Sequence, residues 1–287
     1  MDVLVRVLNG LLMIAIPLGL ALWLSARKQI PWAMFFAGAA TFVLSQVGHL
    51  PFNQFLLSPF TLSIGWVSPE GALTLAGAVL FGLSAGVFEE VARYLVLRYW
   101  KRDVRDWDSG MMFGAGHGGI EAVLLGGLAL TALMQAIAVR GVDDLSTLVA
   151  PEQVGALRAS LDAYWSLPWY AALLGAFERL LAITLHLSLT LIVIQSLRAD
   201  TFSWLGAAIL WHAFADALVV FVAAAYGAFA AEAALLVPTA GSLAWIIYTR
   251  RTWQVPVAPD LPPPERPQVT KADPMVDRTE IDASKYQ

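Results

Sequence analysis

Residues 71–98 read GALTLAGAVLFGLSAGVFEEVARYLVLR, an apolar run that contains three charged residues in its interior, Glu89, Glu90 and Arg93. A helix needs about 20 mostly apolar residues to cross the hydrocarbon core of a bilayer, and this run exceeds that length. An ionisable side chain inside a bilayer has a high free-energy cost, so such residues mark functional sites by default. The stretch therefore predicts a transmembrane helix that carries part of a functional site.

The rest of the chain has the composition of a membrane protein. Of its 287 residues, 58% are hydrophobic and 14% are charged, against about 45–50% and about 25% in soluble domains. The mean hydropathy is +0.66, so lipid is expected to surround most of the surface. The sequence predicts an all-α, polytopic helical bundle with seven to eight spans. The seven clear candidates are residues 3–24, 32–50, 71–98, 109–139, 169–197, 203–225 and 228–249.

Three segments outside these spans differ from them in composition. Residues 55–67 are apolar but short, which favours a re-entrant segment. Residues 146–165 have apolar side chains at helical spacing, typical either of an amphipathic helix on the outer membrane interface or of a helix packed within a loop. Residues 252–287 combine mixed charges with three consecutive prolines. They are expected to form a disordered cytoplasmic tail that follows a transmembrane domain of residues 1–251.

The loop charges predict the orientation of the bundle. Basic residues favour the cytoplasmic side of a membrane, and here they follow spans one, three, five and seven. They are Arg27, Lys28, Arg98, Lys101, Arg102, Arg105, Arg198, Arg250 and Arg251. The alternation predicts an outer N-terminus and a cytoplasmic C-terminus. The expected location is the plasma membrane of a prokaryote.

Composition also excludes several classes of function. The chain has no cysteine, which excludes disulfides, thiolate metal sites and cysteine nucleophiles. Its formal net charge of −4 gives no indication of nucleic-acid binding. The apolar N-terminus lacks the basic region and the small-residue cleavage site of a signal peptide, so it is expected to be the first span.

Ionisable side chains on four predicted spans share one depth in the membrane. Glu89 and His117 lie nine residues from Arg98 and Asp108, and His186 and His212 lie twelve from Arg198 and Asp200. At about 1.5 Å per residue, all four lie roughly 13–18 Å below the cytoplasmic boundary. Packing of the bundle is therefore expected to bring them to one cavity.

Two histidine–carboxylate pairs give this cluster the composition of a metal site. His117 and Glu121, and likewise His212 and Asp216, are four residues apart and so share a helix face. Imidazole and carboxylate ligands suit zinc, which keeps one position for water in catalytic sites. The candidate metal ligands are His117, Glu121, His212, Asp216 and His186. The alternative interpretation of each pair is a structural hydrogen bond between helices.

Other polar residues in the spans have simpler interpretations. Arg93 follows Glu89 and Glu90 by one helical turn and is expected to be their counter-ion, as Arg179 is for Glu178. His49 lies near the outer end of the second predicted span and is expected at the interface, away from the cluster. The glycines around His117 favour close helix packing, and they could also leave room for an extended peptide.

Three motifs in this region resemble a known group of membrane proteases. Glu89-Glu90-x-x-Arg93, Phe113-x-x-x-His117 and His212-x-x-x-Asp216 match, in order, motifs of the type II CAAX-processing and bacteriocin-immunity proteases. The extension to Glu121, together with Glu178-Arg179 and His186, is more similar to the YhfC family of intramembrane metalloproteases, related to the PrsW proteases. The resemblance covers residues 75–220.

The resemblance implies an intramembrane endopeptidase whose helical bundle encloses a water-filled cavity open toward the cytoplasm. It assigns catalytic roles to six residues: Glu89, Glu90, Arg93, His117, His212 and Asp216. Glu89 would be the general base, His117 and His212 would hold the water or a zinc ion, and Asp216 would assist. Both a zinc mechanism and a metal-free glutamate mechanism are compatible with this set. The substrate would be a membrane-embedded or membrane-proximal peptide, and the extra Glu121 and His186 argue against transferring specificity for prenylated substrates.

Two other classes of function remain open at this point. The same carboxylates and imidazoles could relay protons or bind a metal in transit, as in a transporter. A non-catalytic scaffold could also keep a protease-like bundle. Internal repeats, typical of many transporters, are not visible in the sequence, and a base beside water-orienting groups favours hydrolysis.

Overall fold

The protein is a bundle of long helices. Its structure, a computed structural model, describes residues 2–68 and 73–253, which are helical apart from turns, loops and one isolated bridge between Val67 and Leu73. Seven of these helices are long and apolar enough to cross a membrane, and a shorter helix, α5, follows the fourth. In chain order they are α1 (Asp2–Lys28), α2 (Trp32–Ser63), α3 (Leu75–Trp100), α4 (Trp107–Val139), α5 (Val154–Ser166), α6 (Ala171–Arg198), α7 (Ser203–Tyr226) and α8 (Ala228–Thr252). The prediction of an all-α, polytopic bundle is confirmed.

The second span differs from its prediction. It was expected to end at residue 50 before a re-entrant segment at 55–67, and this expectation is wrong, because α2 continues to Ser63. Pro51 does not end the helix. The next turn, Asn53–Leu57, is a wider π-helical turn, a common way for a helix to absorb a local distortion. The polar residues around position 49 therefore lie in the middle of a long helix.

Helix α6 lies at the centre of the bundle. It packs against α1, α4, α7 and α8, and also touches α3. The ten consecutive residues 185–194 are all buried. A helix that is buried on every side needs no polar face, which agrees with its nearly continuous apolar sequence. His186 is therefore held at the interior of the protein.

Glycines set the distance between the helices that carry the polar motifs. A Cβ atom at Gly116 of α4 would lie 1.9 Å from the backbone oxygen of Phe35 in α2. At Gly86 of α3 it would lie 2.6 Å from the backbone oxygen of Ile209 in α7. At Gly118 it would lie 2.8 Å from the His186 ring. Any larger residue at these positions would separate the helices, so the close packing expected from the sequence is present.

We expect Gly116→Ala to destabilise the bundle by at least about 1–3 kcal/mol, because the added methyl group overlaps backbone atoms that cannot rotate away. Thermal unfolding in detergent, followed by circular dichroism, measures the effect. Gly127→Ala on the same helix is the matched control, since a Cβ atom there meets nothing within 4 Å. Equal melting temperatures for the two variants would contradict the packing described here.

The loop between α4 and α6 contains the helix expected within residues 146–165. It begins at Val154, and none of the residues Val154–Ser166 is buried. Both interpretations of this helix, on the membrane interface or packed within the loop, stay predictions. The C-terminal end of α5 contacts the bundle through Arg6 of α1, which donates a hydrogen bond to the Tyr164 carbonyl at 2.6 Å. At the other terminus, α8 ends at Thr252, and residues 254–287 of the predicted tail lie outside the described residues. Both the tail and the boundary at residue 251 stay predictions.

The basic helix ends lie on one face of the bundle. Lys28 pairs with Asp108 at 3.2 Å, and Arg198 donates to the Arg105 carbonyl at 2.8 Å, so α1, α4 and α6 meet there. The guanidinium of Arg250 lies 5.4 Å from the centre of the Trp107 ring, which adds α8. The alternating positive loops predict that these helix ends lie on one side of the membrane, and their position on one face of the bundle agrees with that prediction.

The side of the membrane on which this face lies is testable in a chain without native cysteine. We expect Asp103→Cys and Thr270→Cys to be unreactive toward an impermeant maleimide in intact cells, because positive loops favour the cytoplasm. Asp143→Cys, in the loop between α4 and α5, is the control and should react. Labelling of positions 103 and 270 from outside would reverse the proposed orientation.

Candidate active site

Polar side chains from four helices meet at the centre of the bundle. They come from α3 (Glu89, Glu90, Arg93), α4 (His117, Glu121), α6 (His186) and α7 (His212, Asp216). The ring centres of His117 and His186 are 5.2 Å apart, and those of His186 and His212 are 5.5 Å apart. The structure thus brings together every site residue that the sequence singled out.

Glu89 is held through both carboxylate oxygens. Its Oε2 atom is 3.1 Å from His117 Nε2, and its Oε1 accepts a hydrogen bond from Gln46 Nε2 at 3.1 Å. One ligand atom from each of Glu89, His117 and His186 lies within 4.8 Å of the other two. These three buried side chains form a group that could hold a metal ion.

Glu90 and Arg93 form a second, fully buried centre. Arg93 donates to Glu90 Oε2 at 2.6 Å, and both side chains are 0% exposed. Glu90 Oε1 is 2.8 Å from His212 Nδ1, so this nitrogen donates to the carboxylate. The Nε2 atom of the same ring lies 3.5 Å from Asp216 Oδ2. Arg93 is the counter-ion of Glu90, as expected, whereas Glu89 is engaged by His117 and Gln46.

His186 is fixed through both ring nitrogens. Arg93 donates to His186 Nδ1 at 3.2 Å, so His186 Nε2 carries the proton and donates to Glu121 Oε2 at 3.0 Å. The other oxygen of Glu121 accepts from Arg179 at 2.7 Å, and Arg179 also contacts Glu178, its expected partner. Hydrogen bonds therefore run without a break from Glu178 to His212.

The hydrogen bonds of the two carboxylates run between helices. Glu121, four residues after His117 on α4, bonds to His186 of α6, which is the alternative interpretation of that pair. The carboxylate that contacts His117 is Glu89 of α3. The sequence alone gives no relative rotation of two helices, so it could not indicate these partners. Among the described residues, the group that could hold a metal ion is Glu89, His117 and His186.

Gln46 and His49 belong to the site, although the sequence analysis placed His49 at the interface. That placement is wrong, because α2 continues past residue 50 and His49 is buried against Phe88, with ring centres 5.5 Å apart. His49 Nδ1 is 3.2 Å from Gln46 Oε1, and the amide of Gln46 donates to Glu89. The missed signal is a glutamine and a histidine three residues apart on one helix face.

The hydrogen bonds of this branch are directed toward Glu89. Ser84 donates to Asn53 Oδ1 at 2.8 Å, and Asn53 Nδ2 lies 2.9 Å from His49 Nε2. Since the Asn53 amide nitrogen only donates, His49 accepts at Nε2 and donates from Nδ1 to Gln46. Each residue of this chain therefore donates a hydrogen bond to the next one, in the order Ser84, Asn53, His49, Gln46 and Glu89. Glu89 is the last acceptor.

Two cavities adjoin the cluster and share Glu121. The first has a volume of about 240 Å³ and is lined by polar groups that include Glu89, His186, His212 and Asp216. The second, of about 400 Å³, lies between α2 and α4 and is lined by apolar side chains together with Gln46 and Glu121. A polar chamber and an apolar groove thus meet at one carboxylate.

The residues present fit a zinc ion by their chemistry. Two imidazoles and one carboxylate are a known ligand set of catalytic zinc. His117 Nδ1 is buried and has no hydrogen-bond partner in the part of the chain that the structure describes. A buried imidazole nitrogen without a partner has a free-energy cost. The two ring nitrogens point in different directions, however, and Glu89 lies at Nε2, so a metal shared by Glu89 and His117 would be held at Nε2.

Comparison with known proteins identifies the family of this chain. A sequence model of the YhfC intramembrane metalloprotease family matches residues 12–237. The chain belongs to this family. A curated relative, the "Uncharacterized membrane protein YhfC" of Bacillus subtilis (strain 168), is 29% identical over 254 residues, which cover 86% of this chain and 96% of the relative. No solved structure matches the chain. Membership in the YhfC family confirms the resemblance to that family, and all eight polar residues of the cluster fall within the matched range.

Proposed function

We propose that this YhfC-family protein is an intramembrane endopeptidase that hydrolyses peptide bonds in or near the membrane. The observation that carries the proposal is the buried group of Glu89, His117 and His186 beside a polar cavity of about 240 Å³. Hydrolysis needs a group that activates water and a chamber that admits it. The family description supports the same reaction class.

Zinc is the cofactor that this group would take, with Glu89, His117 and His186 as the three protein ligands. At His186 the ion would take the place of Arg93 at Nδ1, because Nε2 donates to Glu121. A bound zinc ion supplies a water molecule of lowered pKa and polarises the carbonyl group of the substrate. Glu121 supports His186 from behind, in the arrangement by which carboxylates orient metal-bound imidazoles. The hydrogen-bond chain through Gln46 and His49 fixes Glu89 in the same way.

Asp216 is the carboxylate that remains to take a proton from water. Glu90 and Glu121 each use both oxygens in hydrogen bonds with cations or imidazoles, whereas the described contacts of Asp216 are confined to His212 Nε2, at 3.5 Å. Its side chain is 36% exposed and lines the polar cavity. His212, held by Glu90, stands beside it and can pass the proton to the leaving amine.

The apolar groove between α2 and α4 suits the substrate that this proposal requires. Its lining is formed by Phe42, Val43, Leu50 and three leucines of α4, and it reaches the polar residues Gln46 and Glu121. An apolar peptide segment that lies in this groove would place its backbone next to the cluster. A membrane-embedded or membrane-proximal peptide is therefore the expected partner, and the lipid bilayer is the medium in which it arrives.

Glu89→Gln should abolish hydrolysis while the protein still folds and inserts. The amide keeps the size of the carboxylate but neither accepts a proton nor carries the charge that holds a metal ion, so we expect a loss of at least about 10²–10⁴-fold. Cleavage of a membrane peptide that the wild type hydrolyses measures it. Glu232→Gln in α8 makes the same chemical change outside the cluster and should remain active. An active Glu89→Gln protein would overturn the assignment.

Metal analysis of purified variants tests the ligand group. We expect about one zinc per chain, lost in His117→Ala and His186→Ala and retained in His212→Ala and His49→Ala, whose rings lie outside the group. A strong chelator should abolish cleavage, and added zinc should restore it. Full activity without metal would leave a glutamate mechanism, with Glu89 as base.

The main alternative is a carrier of protons or metal ions, and the unbroken hydrogen-bond network from Glu178 to His212 is the observation in its favour. Zinc uptake into proteoliposomes, without cleavage of any offered membrane peptide, would select the carrier over the peptidase. A scaffold would show neither activity, and Glu89→Gln would leave its behaviour unchanged.

A further inference from the structure

A second polar cavity lies at the basic face of the bundle, apart from the candidate active site. Its volume is about 790 Å³, against about 240 Å³ for the polar cavity at the cluster. It is formed by the end of α6, the start of α7, the end of α8 and Arg105 from the loop after α3. Its lining contains none of the residues to which the proposed function assigns a role.

The charge of this cavity is positive. Arg105 and Arg198 line it, and its lining includes no aspartate or glutamate. Burial, and then the neighbouring Arg98, lower the pKa of Arg105, and Asp103 partly offsets this. A cavity with this lining favours an anion.

Arg198 is the cationic side chain of this cavity that has donors free to bind an anion. Arg105 uses its guanidinium for the backbone, donating to the carbonyls of Val104 at 2.7 Å and Leu97 at 3.0 Å. Arg198 donates from Nη1 to the carbonyl of Arg105, and its guanidinium lies 4.5 Å from the centre of the Trp253 ring. Within residues 2–68 and 73–253, its Nη2 and Nε donate no hydrogen bond, so two donors remain in a fixed orientation.

Further donors and an aromatic wall complete the cavity. The side-chain amide of Gln195 lines the cavity and has no hydrogen-bond partner in the described ranges. The Trp245 ring lies 5.2 Å from that of Trp204 and 5.5 Å from that of Tyr248. Tryptophan and tyrosine are enriched where a membrane protein meets the headgroup layer.

We propose that this cavity binds a phosphate group, with Arg198 and Gln195 as the principal donors. Planar guanidinium groups match phosphate oxygens in geometry and charge. An anionic phospholipid headgroup is the source that the position favours, because the cavity lies at helix ends among aromatic residues and basic pockets between transmembrane helices bind such lipids. A free phosphate offers the same chemistry and is separated from the lipid by the test.

Native mass spectrometry of the full chain in a neutral detergent tests this site. We expect phosphatidylglycerol to bind at least about tenfold more tightly than phosphatidylcholine with the same acyl chains, the scale of one charge-assisted hydrogen bond. Arg198→Gln should remove this preference. Arg27→Gln changes the charge of the same face by the same amount, outside the cavity, and should leave the preference intact.

A titration with glycerol 1-phosphate identifies the source of the phosphate. If it binds as tightly as phosphatidylglycerol and depends on Arg198, the ligand is a soluble anion; if it binds far more weakly, the ligand is the lipid. Equal affinities for the two lipids, or equal losses in the Arg198 and Arg27 variants, would overturn the proposal. If the Arg198→Gln protein does not fold, as judged by loss of its helical circular dichroism signal, Gln195→Leu replaces it as the test variant. An unchanged lipid preference in Gln195→Leu would then overturn the proposal.

Discussion

The buried contact between Arg93 and Glu90 is the interaction on which the centre of this protein depends. Arg93 reaches Glu90 on its own helix and His186 on α6, and Glu90 reaches His212 on α7. One ion pair thereby joins three helices. Removing one partner of such a pair costs about 3–5 kcal/mol, because the other charge stays buried without compensation. The pair therefore fixes the rotation of these helices more than it adds to net stability.

This ionic centre depends on the small residues around it. Gly86 lies one turn before Glu89 and Glu90, and Gly118 follows His117 directly. Because Gly86 has no side chain, the backbones of α3 and α7 approach closely, and because Gly118 has none, the His186 ring of α6 packs against the backbone of α4. Close packing and the polar cluster are thus two results of one sequence pattern.

The fold and the membership of the cluster were predictable from the sequence, whereas its pairing was not. Apolar runs of spanning length and ionisable residues at one depth follow from the cost of placing charge in lipid. Which imidazole contacts which carboxylate depends on the relative rotation of two helices, so the spacing of His117 and Glu121 gave no indication that Glu121 bonds to His186 and Glu89 to His117. Gln46 and His49 were missed for another reason, since the second span was predicted to end at residue 50, whereas α2 continues through the π-helical turn at Asn53–Leu57 to Ser63.

The position of Glu121 has a consequence for how such a protein can diversify. This carboxylate separates the apolar groove from the polar chamber, so the surface that would contact a substrate and the groups that would act on it lie on opposite sides of one side chain. Substitutions at Val43, Leu50 or Leu128 would reshape the groove without touching the ionic network. Selectivity and chemistry could then change independently in the course of evolution, and a selective inhibitor would need to be amphiphilic to occupy both compartments.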